Sequence, residues 1–169
     1  METPFITDEP LLDEAFKQAM RRLATTVTII TTRGADSLPL GMTATAVTSL
    51  SAAPPSLLAC VNRSTSIHAH LATGTDFCVN LLSEQHHELS SAFGGKVAPA
   101  ERFGLGGWDL QHLPYLKDAQ VNFACTVDGL FEYGTHTIVI GRIHGIRMPG
   151  RFAPLLYGDG RFLSTGSQG

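Results

Sequence analysis

Between positions 41 and 66 the chain strings together side chains suited to a flat, polar ligand that carries a phosphate. Gly41, Met42, Thr43, Ala44, Thr45 and Ala46 run on through Thr48, Ser49 and Ser51 to Pro54 and Pro55, and Cys60, Val61, Asn62, Arg63, Ser64 and Ser66 follow. Hydroxyls and backbone N–H groups can face a phosphate, while Gly and Ala let the backbone approach a ring edge. Thr also favours strands through its β-branching alone, so a plain strand with a polar outer face explains the Thr run equally well when it is taken by itself. A second group is Phe93, Gly94, Gly95 and Lys96, followed by Glu101, Arg102 and Phe103. It reads either as an aromatic lid with a pliable backbone and two phosphate-directed cations, or as a core Phe followed by a turn. The third is Gly134, Thr135 and His136 at the mouth of a strand, where a single His is more often structural than catalytic.

Several familiar chemistries are absent. Gly95-Lys96 is not a P-loop, because Ser90 stands five positions before Gly95 and Val97 fills the Ser/Thr place. His68 and His70, and the adjacent His86 and His87, point to different faces if helical, so neither pair makes a ligand set and no metal is expected. There is no Gly-x-Ser-x-Gly elbow for a serine hydrolase and no Gly-x-Gly-x-x-Gly after a strand for a Rossmann fold. Cys60, Cys78 and Cys125 are widely spaced among apolar residues, which reads as buried thiols in a reducing compartment.

The elements that must position these groups are mostly strands. Residues 13–23 read as an amphipathic helix, with Ala15, Phe16, Ala19, Met20 and Leu23 on one face, acids in the first turn and arginines in the last. Strands are expected over 25–32, 43–51, 56–61, 76–82, 121–133 and 137–148, with short pieces at 155–157 and 161–163 around a Gly158-Asp159-Gly160 turn. Residues 66–72 read as a short helix capped by Ser66, and 83–93 as a helix whose Ser83…His86 opening lacks the usual Glu or Gln. Strands without regular helix alternation predict an antiparallel barrel with helical insertions. With 169 residues, 43% of them hydrophobic and 16% charged, the chain fits one domain, with 1–10 and 165–169 as flexible tails. A net charge of −3 with no basic block gives nucleic-acid binding little support. No apolar run approaches a membrane span and the first ten residues lack a secretory pattern, so the cytoplasm is expected.

The strand, Pro-Pro, strand and Asn unit of 41–66, the Phe-Gly-Gly-Lys string with Arg102-Phe103, and Gly-Thr-His at 134–136 together resemble the flavin reductase-like family. These are small NAD(P)H-dependent reductases that feed reduced flavin to separate monooxygenases. Within the family the strings are similar to the branch serving 4-hydroxyphenylacetate and pyrimidine-ring-opening oxygenases. The resemblance implies a mainly β fold, an FMN-binding split β-barrel of Greek-key type with peripheral helices, usually dimeric. It implies that Gly41, Met42, Thr43, Ala44, Thr45 and Ala46 edge the isoalloxazine ring. Ser49, Asn62, Ser64 and Ser66 would hold the ribityl chain and phosphate, with Cys60 and Val61 on the same surface, and Phe93, Gly94 and Arg102 would complete it. His136 would bind the reduced nicotinamide; the family carries Gly-Asp-His here, and the two oxygenase branches share the Thr135 form. The implied cofactors are FMN, or alternatively FAD, with NADH or NADPH. The implied partners are a second copy of the chain, which an apolar strand edge over 119–130 also suggests, and a flavin-dependent monooxygenase. Two other readings stay open: a flavin-binding carrier or sensor of the same fold without turnover, and an interaction module whose Thr-rich strands merely pack.

Overall fold

The computed structural model describes residues 5–163 and residue 165; the outermost parts of the expected tails, 1–4 and 166–169, lie outside the described residues. In chain order the elements are α1 (Glu9–Met20), β1 (Thr25–Thr26), β2 (Thr28–Arg33), β3 (Pro39–Ala44), β4 (Val47–Ala52), β5 (Pro55–Asn62), β6 (Asp76–Leu81), α2 (His87–Ser91), β7 (Trp108–Asp109), β8 (Tyr115–Leu116), β9 (Val121–Tyr133), β10 (His136–Arg147), β11 (Leu156–Gly158) and β12 (Arg161–Leu163). Short helical pieces lie at His68–His70, Glu84–His86, Ala92–Lys96 and Pro99–Gly104. Among the described residues no helix is long and apolar enough to cross a membrane.

Seven strands form one antiparallel sheet in the order β3-β2-β6-β9-β10-β5-β4. Its two edges, β3 and β4, are consecutive in the chain, with only Thr45 and Ala46 between them. Laid flat, seven strands would set those edges about 29 Å apart, whereas the three peptide steps from Ala44 to Val47 reach about 11 Å at most. The sheet must therefore curl until its edges meet at that link, which gives a barrel split along one seam. The expected single strand over 43–51 is thus two strands on opposite edges. Propensity is high throughout that run, and nothing local marks the break. The 119–130 segment is corrected likewise: β9 lies between β6 and β10 in the middle of the sheet, so it offers no free edge.

Inside the curl, Ile30, Leu57, Val61, Phe77, Val79, Val127 and Val139 form the core. A second cluster outside it joins Ile29, Leu82, Leu89, Phe93, Trp108, Leu116 and Leu155, so that α2 and the β7–β8 hairpin cover one wall. Between the clusters, the fully buried Asn80 donates to Ile29 O (2.8 Å) and accepts from Leu116 N (2.8 Å) and Asn122 Nδ2 (3.0 Å), tying the hairpin to the sheet. Burial pushes the Cys78 thiol far up, with Cys125 adding to it, and burial pushes the Cys125 thiol up to about 12, so both are inert fillers.

The helices depart most from expectation. The first begins four residues early, because Pro10 is tolerated in a first turn, and its residues after Met20 form turns. None of its residues is buried. The expected 83–93 helix is a one-turn piece, then α2, then a wide turn through Lys96, where Gly95 takes φ 115°. Its start is a true capping box in which the His86 ring replaces the Glu, with Ser83 N donating to His86 Nδ1 (3.1 Å). Ser66 does not cap the 66–72 turn, which begins after Ile67.

Candidate functional site

Curling brings three groups of residues to one side of the barrel. The first is the seam itself. Thr45 and Ala46 are exposed, and Cys60 N donates to Ala46 O (2.9 Å), which locks the link against the end of β5. Above it, α1 and the β11–β12 hairpin stand off to leave a cleft of about 490 Å³. Its floor is Thr45, Ala46, Val47, Thr48, Leu58 and Cys60, and its walls carry Lys17, Arg21 and Tyr157. That volume suits a fused-ring ligand. The lining is mostly apolar, with two cations on one wall for an anionic part of the ligand.

The second group is where β5 ends beside the start of β10. His136 and Asn62 are register partners, so their side chains leave the same face as neighbours. The Asn62 carboxamide accepts from Ser64 N (2.9 Å) and Ser64 Oγ (2.8 Å), folding residues 62–65 into a tight turn that leaves the Ser64 and Ser66 side chains exposed. Arg63 N donates to Thr135 O (3.0 Å), and Thr135 Oγ1 lies 2.8 Å from His136 Nδ1. Thr135 therefore fixes the ring by its hydroxyl and leaves Nε2 outward. The side chains of the short segments 62–66 and 134–136 form a polar, exposed rim.

The third group lies on the outer face of β3. Gly41 is buried under Phe93, and a Cβ there would meet the Phe93 ring at 2.6 Å. Phe93 packs on Phe103 and Trp108 with centroids 5.0 and 5.1 Å away, so it is a buried prop for β3 and not an open lid. Arg102 donates from Nη1 to Gly41 O (3.2 Å) and from Nε to Val97 O (2.9 Å), and Thr43 Oγ1 donates to Ser90 O (2.6 Å). Gly94 lies against Thr43, its Cβ position 4.0 Å from Oγ1. Arg102 and Thr43 thus have their first bonds inside the protein.

Of the residues read from the sequence, Thr45, Ala46 and Cys60 line the cleft, and Asn62, Ser64, Ser66 and His136 share the rim. Gly41, Thr43, Phe93, Gly94 and Arg102 build the wall behind β3. Met42, Ala44 and Val61 face the core, so they offer a ligand only backbone. Ser49 stands apart. It pairs with Leu57, five residues down β5 from Asn62, about 17 Å along the strand. Sequence reading missed Lys17, Arg21 and Tyr157, because nothing local says that α1 and the β11–β12 hairpin fold over the seam. The available signal was the Lys/Arg stripe at 17 and 21 on a helix whose apolar face is narrow.

The flavin reductase like domain family matches residues 20–166. The chain is 41% identical over 157 residues to the reductase component of FADH(2)-dependent resorcinol hydroxylase from Rhizobium sp. (strain MTP-10005), covering 91% of this chain and 88% of that one. It is 39% identical to an FMN reductase (NADH), RutF 1, from Methylorubrum extorquens, covering 90% of this chain and 77% of that one. Among solved structures it matches the Streptomyces globisporus C-1027 NADH:FAD oxidoreductase SgcE6 in complex with NAD and FAD fragments. That match has a TM-score of 0.84 and 27% identity over 98% of this chain and 99% of that one.

Proposed function

We infer the activity from one premise: this chain belongs to the flavin reductase like domain family. It is an NADH-dependent flavin reductase that transfers hydride to a flavin and supplies the reduced flavin to a partner flavin-dependent monooxygenase. The observation that carries the reading is the open cleft at the barrel seam, where Thr45, Ala46 and Cys60 meet α1 beside the Asn62–His136 rim.

The residues fit a flavin. The cleft floor is small and largely apolar, as a ring face requires, and Lys17 and Arg21 on its wall suit an anionic edge or phosphate. A bound flavin supplies the electron and hydride chemistry, and the protein supplies orientation and electrostatics. Backbone at Thr45–Ala46, held by the Cys60 N–H, would lie against a bound ring. The exposed hydroxyls of Ser64 and Ser66 and the Asn62 turn offer donors for a polar tail. His136, held by Thr135 and adjacent to Asn62, would orient the nicotinamide, a role its exposed rim position supports. Hydride transfer between stacked rings needs orientation rather than an acid–base pair. A cleft open along one side lets product leave for the oxygenase.

FMN is the flavin we assign, with FAD accepted, and NADH is preferred over NADPH. We treat 1–169 as one domain, acting as a homodimer in the cytoplasm. Support for the dimer comes from α1, none of whose residues is buried although Leu11, Phe16 and Met20 are large and apolar, and from Phe131 and Tyr133 exposed near the tip of the β9–β10 hairpin. The purified protein should oxidise NADH well above the rate with free flavin alone, most strongly with FMN. No stimulation with either flavin overturns the enzymatic reading, and a higher efficiency with NADPH overturns the nicotinamide assignment.

A further inference from the structure

A separate cleft of about 510 Å³ opens between the β7–β8 hairpin and the outer faces of β9 and β10. It shares no lining residue with the seam cleft. Its cation, Arg147, ends the 12-residue strand that His136 begins, which places the two on the order of 35 Å apart along β10. Neither flavin nor nicotinamide binding at the seam calls on it.

The cleft has one charged corner and one apolar wall. Arg147 Nη1 donates to Asn122 Oδ1 (3.0 Å), and its guanidinium lies over the Tyr115 ring, 4.5 Å from the centroid. Asn122 is itself fixed, donating from Nδ2 to Leu116 O (2.9 Å) and Asn80 Oδ1 (3.0 Å), so a buried network aims the guanidinium. Among the described residues Arg147 has no carboxylate within ion-pair distance. The acid that lines the cleft, Asp109, is bonded within the β7–β8 hairpin: Oδ1 accepts from Gln111 N (3.0 Å) and Oδ2 from Tyr115 OH (3.2 Å). His112 and His144 also line it, the latter 3.6 Å from Asp76 through Nε2. Beside the cation, Leu113 and Ala124, the latter on the same outer face as Asn122, add apolar surface, whereas Ile146 pairs with the core-packed Phe123 and turns its side chain to the other face.

We propose that this cleft binds a small aromatic carboxylate, with its carboxylate on the Arg147 fork and its ring against Leu113 and Ala124. A planar fork with unspent N–H groups matches a carboxylate bidentately, a geometry that a point charge does not select. The stacked Tyr115–Arg147 pair presents a flat floor for a ring, and the volume lies in the range of small-molecule sites. A neutral analogue would leave the guanidinium uncompensated, so the charge carries the selectivity.

The test is a titration of the full-length protein with benzoate, followed through backbone amide shifts, beside the neutral isostere benzamide. Benzoate should give saturable shifts centred on 109–115 and 144–147. Arg147→Gln should weaken it at least about fivefold, as should replacing benzoate by benzamide, while Arg151→Gln, outside the cleft, should not. Absence of saturable shifts in those segments at tens of millimolar benzoate overturns the site. So does a loss below fivefold in Arg147→Gln, an equal loss in Arg151→Gln, or equal binding of benzamide. Flavin titration of Arg147→Gln should match the wild type, so a failed benzoate site leaves the reductase reading untouched.

Discussion

His136 and Cys60 are the two side chains whose roles can be separated most cleanly. His136 sits on the exposed rim with its Nδ1 held by Thr135, and it contributes nothing to the core. His136→Ala should therefore fold normally and titrate flavin as before, while its efficiency with NADH falls about tenfold to a hundredfold. An unchanged efficiency in a folded, flavin-binding variant removes His136 from the site. Cys60 is half-buried on the cleft floor, whereas Cys78 and Cys125 are fully enclosed. Iodoacetamide at mild pH should label Cys60 alone, and saturating FMN should slow that labelling severalfold; labelling that ignores FMN would place the flavin elsewhere. The two buried thiols also set an alkaline limit. Their folded pKa values are raised, so their contribution is full below the unfolded thiol value and shrinks as pH climbs from there toward about 12, the value reached by Cys125. Urea midpoints should fall across that window, less steeply in Cys125→Ser after allowing for its lower starting stability.

At the scale of elements, the contact between β3 and the helical segment after α2 is the tightest joint near the site. Gly41→Ala would drive a Cβ to 2.6 Å from a Phe93 ring already wedged between Phe103 and Trp108. We expect a loss of about 1–3 kcal/mol by urea denaturation, with weaker flavin binding as β3 shifts; a neutral substitution would show that Phe93 has room to yield. This joint also marks how far sequence reading reaches. The sequence puts Gly41 in one candidate group and Phe93 and Arg102 in another, and the fold brings them together, yet as a supporting wall whose polar bonds are internal. Strands β9 and β10 and the Gly158-Asp159-Gly160 turn, with Asp159 and Gly160 at φ 51° and 74°, follow from alternation and turn chemistry alone. The split of the 43–51 run does not, because the break depends on strands far away in the chain. Lys17 of α1 and Arg21 just beyond its end are invisible as site residues for the same reason: helical periodicity describes a face but not what the face meets.

For the molecule as a whole, the exposed apolar side of α1 is the outstanding unbalanced surface. Phe16 is 62% exposed and Leu11 61%, beside the cleft that Lys17 and Arg21 wall. If a second copy covers that face, the flavin cleft is finished by the assembly, and affinity for flavin should depend on protein concentration. Sedimentation at micromolar concentration should give a dimer, and Phe16→Glu should shift the mass toward the monomer and weaken FMN together. A stable monomer in the wild type would contradict the assembly directly, without touching the family assignment.

The seam at Thr45 and Ala46 also governs the order of events during synthesis. Hairpins β2–β3 and β4–β5 follow each other closely from the ribosome, yet they cannot pair with one another, since they belong to opposite edges of the sheet. β2 must wait for β6, and β5 must wait for β10, which emerges only after most of the chain has been made. Until then the nascent chain carries two half-sheets with unpaired flanks, the situation in which long-range pairing is slow and aggregation competes. Chains released before β10 should therefore be captured by chaperones or precipitate, while chains extended through Arg147 should close in one step. The floor of the cleft would then be among the last parts of the protein to exist, although its residues are among the first to be translated.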